Sequence, residues 1–567
     1  MALDSPGVKT TEEQVGGSVQ ELAGPPGAAV VDATWGPAME RVLVSSEAQF
    51  RETFGEPNNR NATRWYTAAN FMGYVGATYI VRAVHEDSKN AADNEQEVTL
   101  IKNSDDFENA SLGAVKFISR YPGKKGNSIE VHVCDSEDAF DGWLFEGEFD
   151  GPPETSPFAE DRDVTKDELH IVVVDGKGKI TGTKGTILET FDFLSKASDA
   201  KTTQGGNNYF VDVVNADSQY VYAGTSDLVS ADEEEISYGT EADEEDGEFA
   251  SSETPLEFPL EGGTDGDSVT SGDMIQALEL FRSKEDVQVR IILTADGGAD
   301  LGDETDVAFA DDAISIAEDR KDCLAVISPM VLSETGGPAN DPAQAVKDFT
   351  GALTRSTFAV VDSGWKYQYD VYNDKRRWIP LNGDIGGLIA RVERDQEPWF
   401  SPAGFSRGQI QRMIKLAWNP SKIERNQLYR NGVNPVTSFP GGGTVLFGDK
   451  TFVGRPDAFD RINVRMLFIV ARQNVARFAE GLLFEQNDSI TRETFTAAVN
   501  QYLESVQARR GIEQFEVIAD TSVNTSTVRD NNEFRGNIFI RPVNSINFIN
   551  LRFVAVRGGI DFDEVVG

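Results

Sequence analysis

Apolar positions along this chain change period several times, and each change predicts an element. Residues 28–33 form a continuous short apolar run, which predicts a buried strand, and Val42-Leu43-Val44 predicts a second. The stretch 50–57 closes in the turn Phe54-Gly55-Glu56-Pro57. Residues 65–74 carry apolar or aromatic side chains at 65, 68, 69 and 72, the spacing of one helix face, and 78–84 returns to strand character. From about 91 to 169 the pattern shortens. Candidate strands at 98–101 and 129–134 and an aromatic run at 140–149 are separated by Gly, Pro and Asp, which predicts a small β-rich module inserted between two halves of another unit. Strand 287–293, helix 311–320, strand 323–327, helix 342–353 and strand 358–361 then alternate. That order at those lengths predicts parallel strands joined by crossover helices.

The last third reads differently. Residues 461–484 predict one long helix, with Leu467, Val470, Ala471 and Phe478 as its apolar stripe. A second helix is expected at 491–510, where Phe495, Val499, Tyr502 and Val506 recur at helical spacing and Gly511 supplies the stop. Strands are expected at 515–519, 537–541 and 547–556. Gly558-Gly559 follows, and then a short strand-like tail with Ile560, Phe562, Val565 and Val566. Such a tail beyond a flexible dipeptide can complete the sheet edge of a neighbour. Residues 1–22, with Val8 and Val15 as scattered apolar positions, have no core-forming period and predict an extended arm.

Charge sharpens this picture. The 567 residues carry a formal net charge of −42, which argues against nucleic acid or an anionic membrane as a partner, since both select clustered Lys and Arg. Residues 202–281 contain no Lys or Arg and 20 Asp or Glu, so an acidic, solvated outer loop is expected at 222–270. Residues 401–567 instead hold 20 Lys or Arg against 17 Asp or Glu, a net of +3. On the first long helix, Arg461, Arg465 and Arg472 fall within roughly 40° of one another at 100° per residue. They are the candidate basic docking face for an acidic partner.

Catalytic patterns are absent. His85, His132 and His170 lie in separate strand segments without metal-ligand spacing, so neither a metal nor another cofactor is expected. The run Asp175 to Gly182 fails the spacing of a phosphate loop and predicts a hairpin loop. Cys134 and Cys323, far apart and each in an apolar run, predict buried free thiols. The N-terminus lacks a basic n-region and an apolar h-region, so no signal peptide is expected, and no apolar run approaches the ~20 residues of a membrane span.

The order of short motifs along the chain resembles the contractile tail sheath proteins of T-even-like myovirus bacteriophages. Near the start these are Ser5-Pro6-Gly7-Val8, Trp35-Gly36-Pro37, Phe54-Gly55-Glu56-Pro57 and Val81-Arg82-Ala83-Val84. Tyr121-Pro122-Gly123, Ala325-Val326-Ile327-Ser328-Pro329, Trp378-Ile379-Pro380 and Pro440-Gly441-Gly442-Gly443 follow in the middle, and Phe459-Asp460-Arg461-Ile462-Asn463-Val464-Arg465 closes the set. Two positions depart from the pattern: Phe447 stands where Trp is usual, and Gln486 where Pro is common.

The resemblance implies a structural protein of the virion tail, assembled in the host cytoplasm. It implies self-assembly as stacked hexameric rings around a tail tube, with the baseplate and a tail terminator as further partners. The corresponding fold expectation is a mixed α/β core with crossover helices, an inserted β-rich outer domain and an α+β C-terminal assembly domain with extended terminal arms. The expected divisions are an arm at 1–22, a core at 23–90 and 170–390, an insert at 91–169, a tube-facing C-terminal domain at 391–557 and a strand arm at 558–567. A tail-derived bacteriocin or contractile injection system is the nearest alternative, and an acidic hydrolase the alternative of another class.

Overall fold

The computed structural model describes residues 26–94, 99–232, 235–242, 247–297, 307–545 and 547. At its centre lies a seven-stranded sheet in the order Val433–Asn434, Ala359–Asp362, Leu324–Ile327, Ile291–Leu293, Gly27–Val31, Thr78–Arg82, Arg41–Val44. All neighbours run parallel except the last pair. Alternate residues of each strand feed two different cores. Ala28, Ile292, Ala325 and Val361 point to one face and Ala29, Leu293, Val326 and Val360 to the other. Strands buried on both faces need apolar residues on both, and the central strands Ile291–Leu293 and Leu324–Ile327 have them at every position.

Helices Ser271–Glu279, Ala308–Arg320 and Pro342–Ala352 contribute Met274, Phe309 and Phe349 to the first core. Helices Ala62–Val75 and Asn382–Asp395 supply Phe71, Tyr74, Ile385 and Leu388 to the second. The second pair packs unusually close. A methyl group added at Gly383 would sit 2.2 Å from the Thr67 carbonyl oxygen, and one at Gly387 2.5 Å from the Tyr74 ring, so only glycine fits there. The alternation expected for residues 287–361 is therefore present, with the strand at 287–293 reduced to Ile291–Leu293.

A second sheet, wholly antiparallel, has the order Leu256–Pro259, Ile129–Cys134, Glu168–Asp175, Thr186–Ser195. Phe117–Ser119 pairs with Val221–Ala223 beside it, and Ile129, Val131, Val173 and Phe210 share its core. This pairing corrects the expected return to the core at 170. The strands at 168–175, 186–195 and 256–259 belong with 129–134, and the chain rejoins the central sheet only at Ile291. The apolar run Ile171–Val174 within strand 168–175 is buried at every position, the pattern of a central parallel strand.

The acidic window is corrected too. Its strands Glu235–Ile236 and Gly247–Phe249 form a three-stranded parallel sheet with Val164–Thr165, and Ile236, Ala242 and Phe249 are buried against Val164 and Ala200. These few apolar residues give the described part of the window a core of its own. No strand forms at 99–101; Val98 lies outside the described residues. In the aromatic run at 140–149 a short helix ends at Phe140 and a 3-10 turn spans Glu146–Glu148, and between them the Trp143 and Phe145 rings pack with Cys134. Cys134 and Cys323 are both buried free thiols, and burial pushes them up to about 11 and about 12.

Past residue 391, where the C-terminal domain was expected to begin, Val433–Asn434 still pairs with Ala359–Asp362. The central unit therefore extends beyond 430. A two-residue edge strand carries too little pattern to be read from sequence.

Candidate assembly interface

The C-terminal unit is built on two helices, Ile462–Glu480 and Ser489–Ala508, and one two-stranded antiparallel sheet, Ile512–Ile518 with Asn537–Pro542. The first helix belongs to two cores at once. Ile462, Met466 and Ile469 pack under the central sheet, while Leu467 joins Trp399, Phe495, Val499, Leu503 and Val506 in the C-terminal core. This placement accounts for the motif at 459–465. It starts a helix that must be apolar on two sides, and Asn463 holds its orientation through a 3.3 Å bond to the Trp399 carbonyl.

Arg461, Arg465 and Arg472 do not form one exposed face of the subunit. Arg461 caps the helix rather than riding on it, and its Nη1 donates to Asp449 Oδ1 at 2.8 Å and to the Tyr429 hydroxyl. Arg465 is buried, with its guanidinium carbon 4.2 Å from the Phe358 ring centre and 3.9 Å from that of Phe459, and it donates to Thr357 Oγ1. Burial lowers its pKa to about 10. Arg472 is exposed but donates to the Lys321 carbonyl. Helical spacing clusters Arg465 with Arg472, whereas Arg461 stands at the cap in extended conformation. Arg461 is paired within the subunit, Arg465 is buried against aromatic rings, and Arg472 stays exposed.

Asp449 is the hub of this junction. It is 3% exposed and accepts from Arg461, from the Tyr429 hydroxyl at 3.0 Å, from Ser401 Oγ at 3.1 Å, from Ser545 Oγ at 2.9 Å and from Asn547 Nδ2 at 3.1 Å. Burial acts to raise its pKa, but the Arg461 charge and the hydrogen bonds outweigh it and hold the carboxyl below its ordinary value. Around it opens a cavity of about 830 Å³ bordered by Trp399, Phe400 and Phe447.

Two further features bear on assembly. Among the described residues, strands Ile512–Ile518 and Asn537–Pro542 pair only with each other, so each leaves one edge of main-chain donors and acceptors without a strand neighbour. Ile538 and Ile540 also border a groove of about 280 Å³ against Phe468, Ile469 and Val475. At the turn between the two helices, Leu483 and Ile490 are 64% and 70% exposed and Phe484 is fully exposed, with a left-handed φ of +69°. This tip lies beyond Phe478, the last residue of the apolar stripe expected for the first helix. Large apolar side chains beyond the last residue of a stripe were the available signal. The arm positions Val8, Val15, Ile560, Phe562, Val565 and Val566, and nearly all of the strand expected at 547–556, lie outside the described residues.

The His170 ring lies flat on Phe149 at 4.2 Å, accepts from the Phe193 amide at Nδ1 and contacts the Gly151 carbonyl at Nε2, the pattern of a neutral structural histidine. Burial lowers its pKa. The Asp175 to Gly182 run is the loop joining two antiparallel strands, closed by the Asp175 carboxylate accepting from the Ile180 and Thr181 amides at 2.9 and 2.7 Å. Among the described residues no group of three His, Cys, Asp or Glu is placed to hold a metal ion.

Comparison with known proteins places this architecture. The phage tail sheath protein central domain matches residues 267–452, and the phage tail sheath C-terminal domain matches 455–555. The chain is 30% identical to the tail sheath protein of Vibrio phage KVP40 and 29% identical to that of Enterobacteria phage T4, in each case over 100% of both chains. A sheath tail protein from Listeria innocua shares the fold, with a TM-score of 0.55, 13% identity and 92% of each chain covered. With a full-length relative at 30% identity and both sheath domains in order, the chain belongs to the phage tail sheath protein family, that of T4-like myoviruses.

Proposed function

We propose that this chain is the repeating structural subunit of a phage contractile tail sheath, and that the terminal arms link one subunit to the next. The observation that carries the second part is the two-stranded sheet at 512–518 and 537–542. Its free edges can each accept a further strand through main-chain hydrogen bonds, and residues 560–566 alternate in a way that suits a strand. Stacked hexameric rings around a tail tube, with baseplate and terminator at the ends, are the assembly this reading implies. Contraction would then be a change between two packings of a subunit that keeps its strand links.

The central unit of this proposal runs from 26 to 90 and from about 267 to 452, with an insert between about 91 and 264. The C-terminal unit begins near 455. Support comes from the sheet pairings and from the break between the two matched families. The tube-facing surface is assigned to the C-terminal unit, but Arg461 and Arg465 are removed from it because both are engaged within the subunit. The role is structural rather than catalytic; a purified-protein screen that found turnover abolished by one substitution would contradict it.

The test is assembly. Purified full-length protein should form tubes of stacked rings in negative-stain micrographs. Deleting 558–567 should leave a subunit with unchanged circular dichroism that forms no long tubes. Normal tubes from the deleted chain would overturn the arm reading.

A further inference from the structure

The sheet Lys375–Pro380, Trp365–Asp370, Lys415–Leu416 has two unlike faces. One is spent inside the subunit. Its residues Gln368 and Asp370 bond Asn70 and Tyr66 of the helix Ala62–Val75 at 2.9 and 2.6 Å, and Lys366 is buried against Asp384. The composition of the other face follows from the register. Tyr367 stands opposite Trp378 and Lys415, and Tyr369 opposite Arg376, so these five side chains share one side of the sheet. The Tyr367 and Trp378 rings meet at 4.6 Å, and the Lys415 ammonium lies 5.3 and 5.4 Å from their centres. Tyr369 is 45% exposed, and Arg376 and Lys415 are exposed. Among the described residues neither cation lies in an ion pair.

A surface of the opposite kind stands on the antiparallel unit around Ile129–Cys134. Residues 135–161 contain no Lys or Arg, and Glu137, Asp138, Asp141, Glu146, Glu148 and Asp150 are all exposed. Among the described residues none of the six lies in an ion pair. Their loop is anchored from below, because Trp143 and Phe145 are buried with Cys134, Val172 and Val174. Leu144, between those two rings in sequence, is 84% exposed. A lone exposed leucine is ordinary. Here it sits on an anchored loop with unpaired carboxylates on both sides of it along the chain, which makes an apolar knob with an acidic rim.

We propose that the aromatic and cationic face at 365–380 and 415–416 receives the acidic loop 137–150 of a second copy of this chain, with Leu144 on the Tyr367, Tyr369 and Trp378 rings and the carboxylates facing Arg376 and Lys415. This rests on the reading of the chain as a repeating subunit, and it adds a contact between folded units to the terminal arms. A chain with 94 acidic against 52 basic residues repels its own copies, so a point of contact needs cations that no internal carboxylate has neutralised. Within one subunit both surfaces are exposed and each is anchored to its own core, so the pairing is made between copies. Each copy offers one of each surface, and the contact can repeat along a row of subunits. The other acidic run, at 232–248, fits less well: Glu248 already pairs with Lys166 at 2.7 Å, and Ile236 and Tyr238 are buried in their own unit.

Charge reversal on the full-length protein tests the pairing. One variant carries Arg376→Glu with Lys415→Glu, the other Asp141→Lys with Glu148→Lys. All four side chains are exposed and make no hydrogen bond or ion pair among the described residues, so the melting curve should stay unchanged. Single exposed charge pairs are weak, but reversal puts repulsion at a contact that every subunit makes twice, once with each surface. Each variant should lower the assembled fraction, read by sedimentation at low salt, by about tenfold. An equimolar mixture of the two should recover to within about twofold of the parent, because each reversed face then meets a reversed loop. Leu144→Ser probes the apolar centre without touching charge and should lower assembly by about threefold or more.

Parental assembly of either double variant, or a mixture that stays as poor as its components, overturns the proposal. So does loss confined to the face variant, which would give the face to an acidic partner of another kind. The parent chain separates this contact from the wider reading. If the parent forms no tubes of stacked rings, the sheath reading fails. If the parent and both variants form them alike, that reading stands and only this contact is refuted.

Discussion

Replacing Asp449 by Ala should loosen the junction between the central and C-terminal units more than any other single polar substitution there. The carboxylate is buried, is paired with Arg461 at 2.8 Å, and gathers bonds from Tyr429, Ser401, Ser545 and Asn547. Breaking a buried ion pair from one side costs about 3–5 kcal/mol, because the remaining charge is stranded. The Arg461 side chain is 23% exposed, so water relieves part of that penalty and about 2–4 kcal/mol is expected. Asp449→Asn keeps the shape and one acceptor oxygen, and should cost about half as much.

The assay is hydrogen exchange, which reads local opening without requiring the whole chain to unfold in one step. At 1.4 kcal/mol per decade, the amides of residues 461–465 should exchange roughly 30- to 700-fold faster in the alanine variant. Ile462 is the best reporter, since its amide donates to the Asp449 backbone carbonyl at 2.8 Å, a bond the substitution leaves in place. Exchange within threefold of the parent would refute the hub. The pH dependence has a fixed sign. Because the carboxyl is held below its ordinary value of 3.8, its contribution is complete above that pH and is lost as the pH falls through the lower folded value.

Gly383→Ala should destabilise the central unit by roughly 2–4 kcal/mol in urea unfolding, since the new methyl meets a backbone oxygen at 2.2 Å that cannot move aside; a change under 0.5 kcal/mol would contradict the close packing. Asp362 is buried, and loss of solvation raises its pKa to about 8, against which the Ser328 and Gly364 bonds act only in part. The folded state therefore holds a proton that the unfolded state releases, and stability should fall as pH rises from about 4 to about 8. Asp362→Asn should flatten that slope, and an identical slope in the variant would sink the assignment. Arg465→Glu should lower stability and expose the helix at 462–480 to proteolysis, rather than leave a folded subunit with weakened partner binding; normal melting of the variant would restore the surface reading.

What the sequence made legible divides by length scale. The alternating strands and helices of 287–361 were readable because each strand is buried on both faces and each helix on one, so the apolar period reports the element directly. Residue 170 as a domain boundary was misread for the same reason. The strand Glu168–Asp175 is buried on both faces because Leu169, Ile171 and Val173 enter one core while Val172 and Val174 lie under the Trp143 and Phe145 rings, and its run Ile171–Val174 matches a central parallel strand in pattern. Periodicity gives the burial of a strand but not the sheet to which it belongs.

The candidate site shows the same limit in charge. Helical spacing placed Arg465 and Arg472 on one side correctly and missed that Arg461 caps the helix, and nothing in spacing tells a solvated face from one pressed against another unit. Phe358 and Thr357, which hold Arg465, stand more than a hundred residues away in the chain. Conversely, Arg407, Lys422, Arg425 and Arg510 are scattered in sequence and converge only because the loop after residue 400, the helix Lys422–Arg430 and the end of the helix at Ala508 meet around Asp449. A mildly basic last third was visible in composition; where it concentrates is a property of the tertiary fold. Buried Asp449 pairs with Arg461 at the junction, while Arg407, Lys422, Arg425 and Arg510 border the open space beside it.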